Sequence, residues 1–248
     1  MAESGWRNGA QGLSGSQPGS WNDTALDAPA RTAMATQFLG QVYSWMAGGL
    51  ALSGATAMAV LSSEPLLQAT WEHRTFLIVM ELLTVIGFSA LLPKMSASMA
   101  AAAFLFYASL TGVTFAPLLL AYTSSSVANV FFVTAGTFTG MAVYGTVTKR
   151  DLTSMGSFMT MGLIAILIAA VVNLFLASSA LQFAVSLLGA VIFIGLTAYD
   201  VQRFKQMGYM GFADATQQRK AALSGALNLY LDFINLFLSL LRLFGSRR

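Results

Sequence analysis

The chain has no cysteine, one histidine and very few charges. Without cysteine there are no disulfides, thiolate metal sites or thiol nucleophiles. A single histidine, His73, rules out a metal centre built from several imidazoles. Charged residues are 9% of the 248, against about 25% in soluble domains. That scarcity excludes an ordinary water-facing surface. The net charge of +3 is small, and the basic residues lie mostly between apolar stretches. They read as topology signals, not as a nucleic-acid surface. No glycine-rich phosphate loop is evident.

What is present is apolar sequence: 56% of residues are hydrophobic, in repeated runs of about 20, the length that crosses a bilayer. Seven spans are predicted, at about 38–61, 75–92, 99–122, 127–148, 156–177, 181–199 and 223–244. The sixth is expected to continue helically toward Lys205. Residues 1–35 are poor in large apolar side chains and are expected to form a disordered tail. They lack the pattern of a cleaved signal peptide, so the first span is expected to serve as the insertion signal. Residues 36–248 are expected to form one transmembrane domain. Residues 62–74 read as a polar loop, and Pro117 is expected to kink the third span. Gly48, Gly49, Ser53 and Gly54 in span one, and the Gly136-x-x-x-Gly140 pattern in span four, predict close helix contacts.

Orientation follows from the basic residues. With seven crossings and an internal N-terminus, nine of the 13 lysines and arginines lie inside and four outside. Three of those four, Arg242, Arg247 and Arg248, sit at the C-terminus. A re-entrant last helix would keep them inside, and the sequence leaves both arrangements open.

The last span carries the most information. Ser224, Asn228, Asp232, Asn235, Ser239 and Arg242 recur every three or four residues, within roughly an 80° arc of a helix. A carboxylate facing acyl chains costs at least ~2.5 kcal/mol, so the stripe is expected to face a cavity or protein. Glu81 and Asp200 are the other acids in or near the spans. Spans six and seven are consecutive and expected to be antiparallel neighbours, so Asp200 and Asp232 can meet. Two carboxylates in a low-dielectric site share a proton. A shared proton holds the helices together, and a second negative charge pushes them apart. Clustered carboxylate oxygens also suit hard cations such as Ca²⁺. The plainer readings stay open: Asp200 as a helix-end pair with Arg203, Asp232 as a hydrogen-bonding group, and Glu81 as a structural hydrogen bond or a link to Lys94 or Arg74.

At these residues the chain resembles the Bax inhibitor one family in its bacterial branch. The likeness runs over about residues 38–246. It is carried by the sequence from Leu229 to Phe237 with Leu240-Leu241-Arg242, by Tyr199-Asp200-Val201-Gln202 with Lys205, by Met46-Ala47-Gly48-Gly49-Leu50, and by Glu81. The resemblance implies an all-α membrane protein, with six helices packed around a central, polar-striped seventh. It implies a pH-sensitive calcium leak in the bacterial inner membrane. Asp200 and Asp232 would form the latch, Glu81, Asn228 and Asn235 would lie along the pathway, and Lys94 and Arg203 are candidate latch partners. Ca²⁺ would be the permeant ion, held transiently by Asp200 and Asp232, with no cofactor. A second reading is a membrane interaction protein that modulates a quality-control protease or a stress or cell-death response. A third, an intramembrane aspartyl protease, rests on the Tyr-Asp of span six and the Asp of span seven. It lacks the Gly-x-Gly-Asp context of presenilin-like enzymes. The expectation is a protein without enzymatic activity, whose partners are the bilayer, a cation and a membrane-bound protease, and not nucleic acid.

Overall fold

The computed structural model describes residues 28–248. The tail expected to be disordered lies outside the described residues up to position 27. From Ala28 the chain is already helical. The helices are α1 (Ala28–Leu61), α2 (Glu64–Glu72), α3 (Arg74–Leu91), α4 (Ala97–Leu120), α5 (Ser124–Val147), α6 (Thr153–Leu176), α7 (Ser179–Met210) and α8 (Ala215–Phe244), with a short 3-10 turn at Leu92–Lys94. All but α2 are long and apolar enough to cross a membrane.

Two boundaries differ from expectation for physical reasons. Residues 28–35 are helical because α1 extends along the end of α7. There Ala35 is buried against Gly208, and the ring of Phe38 meets that of Phe212 at 4.7 Å. Tertiary packing overrides a composition that favours disorder. The supposed loop at 62–74 contains α2, which starts with Glu64-Pro65. Proline suits a first helical turn, where its missing N–H is not needed. Leu67 then packs on a small cluster of Ala57, Val60 and Ala116.

The last helix is the core, although not with six neighbours around it. α8 packs chiefly against α1, α4, α5 and α7, while α3 rests on α4 and α6 on α7. Tyr230 and Leu229, Leu236 and Leu241 of α8 are fully buried. Tyr230 meets Phe104 and Tyr107 of α4 edge-on, with centroids at 6.0 and 5.9 Å, and Phe233 meets Phe138 of α5 at 5.6 Å. Such edge-to-face pairs add about 0.5–1.5 kcal/mol each beyond their buried area.

Close approaches occur at particular glycines. A Cβ on Gly112 would meet the Ser53 carbonyl, and one on Gly145 would meet the Ala198 carbonyl. Gly49 lies against Phe104 and Tyr230, as expected of span one's small face. Gly48, Gly54, Gly136 and Gly140 have open space instead. The Gly136-x-x-x-Gly140 pattern therefore makes no close helix contact among the described residues.

Side chains of α7 secure the turn between α5 and α6. Gln202 Oε1 accepts from the Leu152 amide at 2.9 Å, and its Nε2 donates to the Arg150 carbonyl at 2.8 Å. Lys205 Nζ donates to Thr146 O at 2.6 Å, where a cation suits the carbonyl end of α5. At the opposite face the C-terminal residues are tied to the turn between α4 and α5. The Thr123 amide donates to Ser246 O at 3.0 Å, and the Arg248 amide donates to Ala121 O at 3.1 Å. α8 thus runs through the whole bundle, and the chain ends on the face away from Lys94, Lys149 and Lys220. By the positive-inside rule that end is external.

Candidate functional site

Asp232 lies 17 residues into α8, and Asp200 lies 10 residues before the end of α7. Both are buried, Asp232 with 5% of its surface exposed and Asp200 with 9%. α7 is the most extensive packing partner of α8, and the two carboxylates are within electrostatic reach of each other. Arg203, one turn beyond Asp200, is within reach of Asp200. Among the described residues, Oδ2 of Asp232 is buried without a hydrogen-bond partner. Leaving a buried acceptor unsatisfied costs about 1–3 kcal/mol, so the group is held there against its own solvation.

The polar stripe of α8 is not one continuous seam. Asp232 and Ser239 are buried, Ser224, Asn228 and Asn235 are half-buried, and Arg242 is exposed. Asn228 borders a cavity of about 450 Å³, together with Arg203, Lys220 and Pro93. Asn235 instead donates back to Leu231 O of its own helix at 2.8 Å.

Glu81 does not join the two aspartates. Thr111 of α4 lies 2.7 Å from Glu81 Oε1, and Glu81 is within electrostatic reach of Tyr107 and Tyr230. The structural hydrogen bond that the sequence left open is therefore formed, with Thr111 and not with Lys94 or Arg74. Tyr230 also reaches Ser53 of α1 at 2.7 Å. Ser53 Oγ lies 2.9 Å from Gly49 O and 2.7 Å from Ala108 O. A serine hydroxyl has one proton and carbonyls only accept, so Ser53 donates to the carbonyls and Tyr230 donates to Ser53. Tyr230 and Asp232 are two residues apart, about 200° around the helix. Hence α8 bears two polar centres at one depth on opposite flanks: a carboxylate pair toward α7, and a hydroxyl cluster toward α1, α4 and α3.

The sequence overlooked this cluster, because Ser and Thr in apolar helices ordinarily bond back to their own backbone. The only signal was a tyrosine set among leucines. Lys94 is exposed in the 3-10 turn, while Lys220 donates to the neighbouring Pro93 O at 2.8 Å. Among the described residues no group of three or more His, Asp or Glu side chains could hold a metal. Ca²⁺ takes six to eight oxygens, and two carboxylates supply at most four.

A family model described as "Inhibitor of apoptosis-promoting Bax1" matches residues 35–248. The chain belongs to the Bax inhibitor one family. Among bacterial relatives of this Bax inhibitor protein is the inner membrane protein YbhL of Escherichia coli K12. It is 44% identical, and the alignment covers 85% of this chain and 92% of YbhL. A protein of Borreliella burgdorferi is also 44% identical, over 86% of this chain and 93% of its own length. A Caulobacter vibrioides protein is 39% identical over 96% and 98%. With seven helices long and apolar enough to span, this member of the family is a multi-pass protein of the bacterial inner membrane. By the positive-inside rule the face bearing Lys94, Lys149 and Lys220 is expected to be the inner one.

Proposed function

We propose that this Bax inhibitor protein is a pH-sensitive cation leak, with Ca²⁺ as the permeant ion and the Asp200–Asp232 pair as its latch. One observation carries the reading. Two acids on adjacent helices are buried within electrostatic reach of each other, and one oxygen of Asp232 has no partner. Such an arrangement favours a shared proton. With the proton in place the pair draws α7 and α8 together. Removing it leaves two negative charges that repel each other and attract a cation. Leakage should therefore rise with pH. The fully buried Leu229 and Tyr230 before Asp232 support a non-catalytic role, since no backbone is open there to a substrate strand.

The test is Ca²⁺ efflux from liposomes containing the purified chain, measured across pH. The native protein should leak more as pH rises, and Asp200→Asn and Asp232→Asn should each flatten that response. Unchanged efflux in both variants would overturn the latch and favour an interaction role, such as modulating a membrane protease. Peptide cleavage lost in both would point to a protease instead.

A further inference from the structure

The 450 Å³ cavity lies at the inner end of the bundle, between the turn after α3 and the facing parts of α7 and α8. Asn228 contributes to it, one turn before Asp232 on the same face of α8. Arg203 contributes from α7, one turn beyond Asp200. Pro93 and Lys220 belong to different walls, and the bond from Lys220 Nζ to Pro93 O joins them.

The charged groups facing the cavity are Arg203, Asp214 and Lys220. Asp214 is engaged in capping α8, where it accepts from the Gln217 amide at 2.7 Å. Arg203 is within electrostatic reach of Asp200. Lys220 holds a neutral carbonyl. An ammonium released from such a bond is readily rehydrated and leaves no buried charge behind. Of the three, it can let go most easily.

We propose that this cavity is the entrance from the inner aqueous phase to the acid pair, and that the Lys220–Pro93 bond sets its width. The inference rests on the leak reading only for what enters; access itself is measured separately.

The natural absence of cysteine makes the test clean. Asn228→Cys places one thiol beside the acid pair, and Ser224→Cys places one a turn nearer the inner surface. In reconstituted full-length protein, each thiol is exposed from the inner face to membrane-impermeant methanethiosulfonates, one cationic and one anionic. Both reagents should modify Asn228→Cys several-fold faster when Lys220→Met is added. Lys220→Arg, which keeps the charge and the donor, should restore the slow rate. Faster reaction with the cation but slower with the anion would reduce Lys220 to a charge and overturn the strap. Equal rates in all backgrounds would overturn it too. If Ser224→Cys reacts and Asn228→Cys does not in any background, the cavity is no entrance. If the leak reading fails, efflux is absent while the thiol rates still change.

Discussion

At residue scale, two neighbours on one helix do different work. Asp232 lies within electrostatic reach of Asp200, with an oxygen left unpaired among the described residues, whereas Tyr230 is bound to Ser53 and ringed by Phe104 and Tyr107. Removing the Tyr230 hydroxyl should affect folding and leave the proposed gating alone. Tyr230→Phe forfeits one buried hydrogen bond and should cost about 1 kcal/mol. Thermal unfolding in detergent should show the loss, and the pH profile of Ca²⁺ efflux should not move. A shifted profile would mean that the two flanks of α8 are coupled. Asp200 and Asp232 were legible in the sequence because acids in apolar spans stand out. Ser53, Thr111 and Tyr230 were not, since nothing in a hydroxyl's spacing says whether it bonds across helices or along its own.

At element scale, the seven spans were readable from apolar length alone, because the bilayer fixes that length. Their contacts were not. Gly136 and Gly140 have the spacing of a packing motif and face open space, while Gly112 and Gly145 have no motif and touch backbone. Gly112→Ala and Gly145→Ala should each destabilise by about 1–3 kcal/mol through overpacking. Gly136→Ala and Gly140→Ala should be neutral or slightly stabilising, because alanine is the better helix former. The melting temperatures of the four variants check the ordering. Similarly, α2 was hidden among polar residues, and its helix depends on Leu67 finding an apolar seat.

The turn into α6 should respond to acid. Asp151 accepts from the Thr153 hydroxyl and amide at 2.6 and 2.9 Å, and the hydroxyl bond, then the amide bond, lowers its pKa. A lowered carboxylate supports the folded turn at neutral pH, and that support is lost as pH falls through the lowered value. Hydrogen exchange at the Thr153 amide, corrected for the intrinsic rate, should stay slow at neutral pH and quicken in acid. Asp151→Asn should quicken it at neutral pH.

At the scale of the whole molecule, the bundle is arranged about α8 from end to end. Its start is tied to the turn after α3 by Lys220, and its end leads into a tail bonded to the turn between α4 and α5. Between these ties the carboxylate pair lies deep in the bundle. The sequence suggested a polar path along the entire last helix. The fold keeps the inner half of it beside a cavity and turns Asn235 back on its own backbone. Periodicity places residues on one face of a helix, but only the neighbours decide which part of that face is open.

The account depends on Asp200 and Asp232 acting as one unit, and the direct measurement is the pH dependence of Ca²⁺ efflux for both single variants and the double. Groups sharing one proton are non-additive. Asp200→Asn, Asp232→Asn and the doubly substituted chain should therefore show the same flattened profile. Single variants that each keep part of the pH response, summing to the loss in the double, would contradict it.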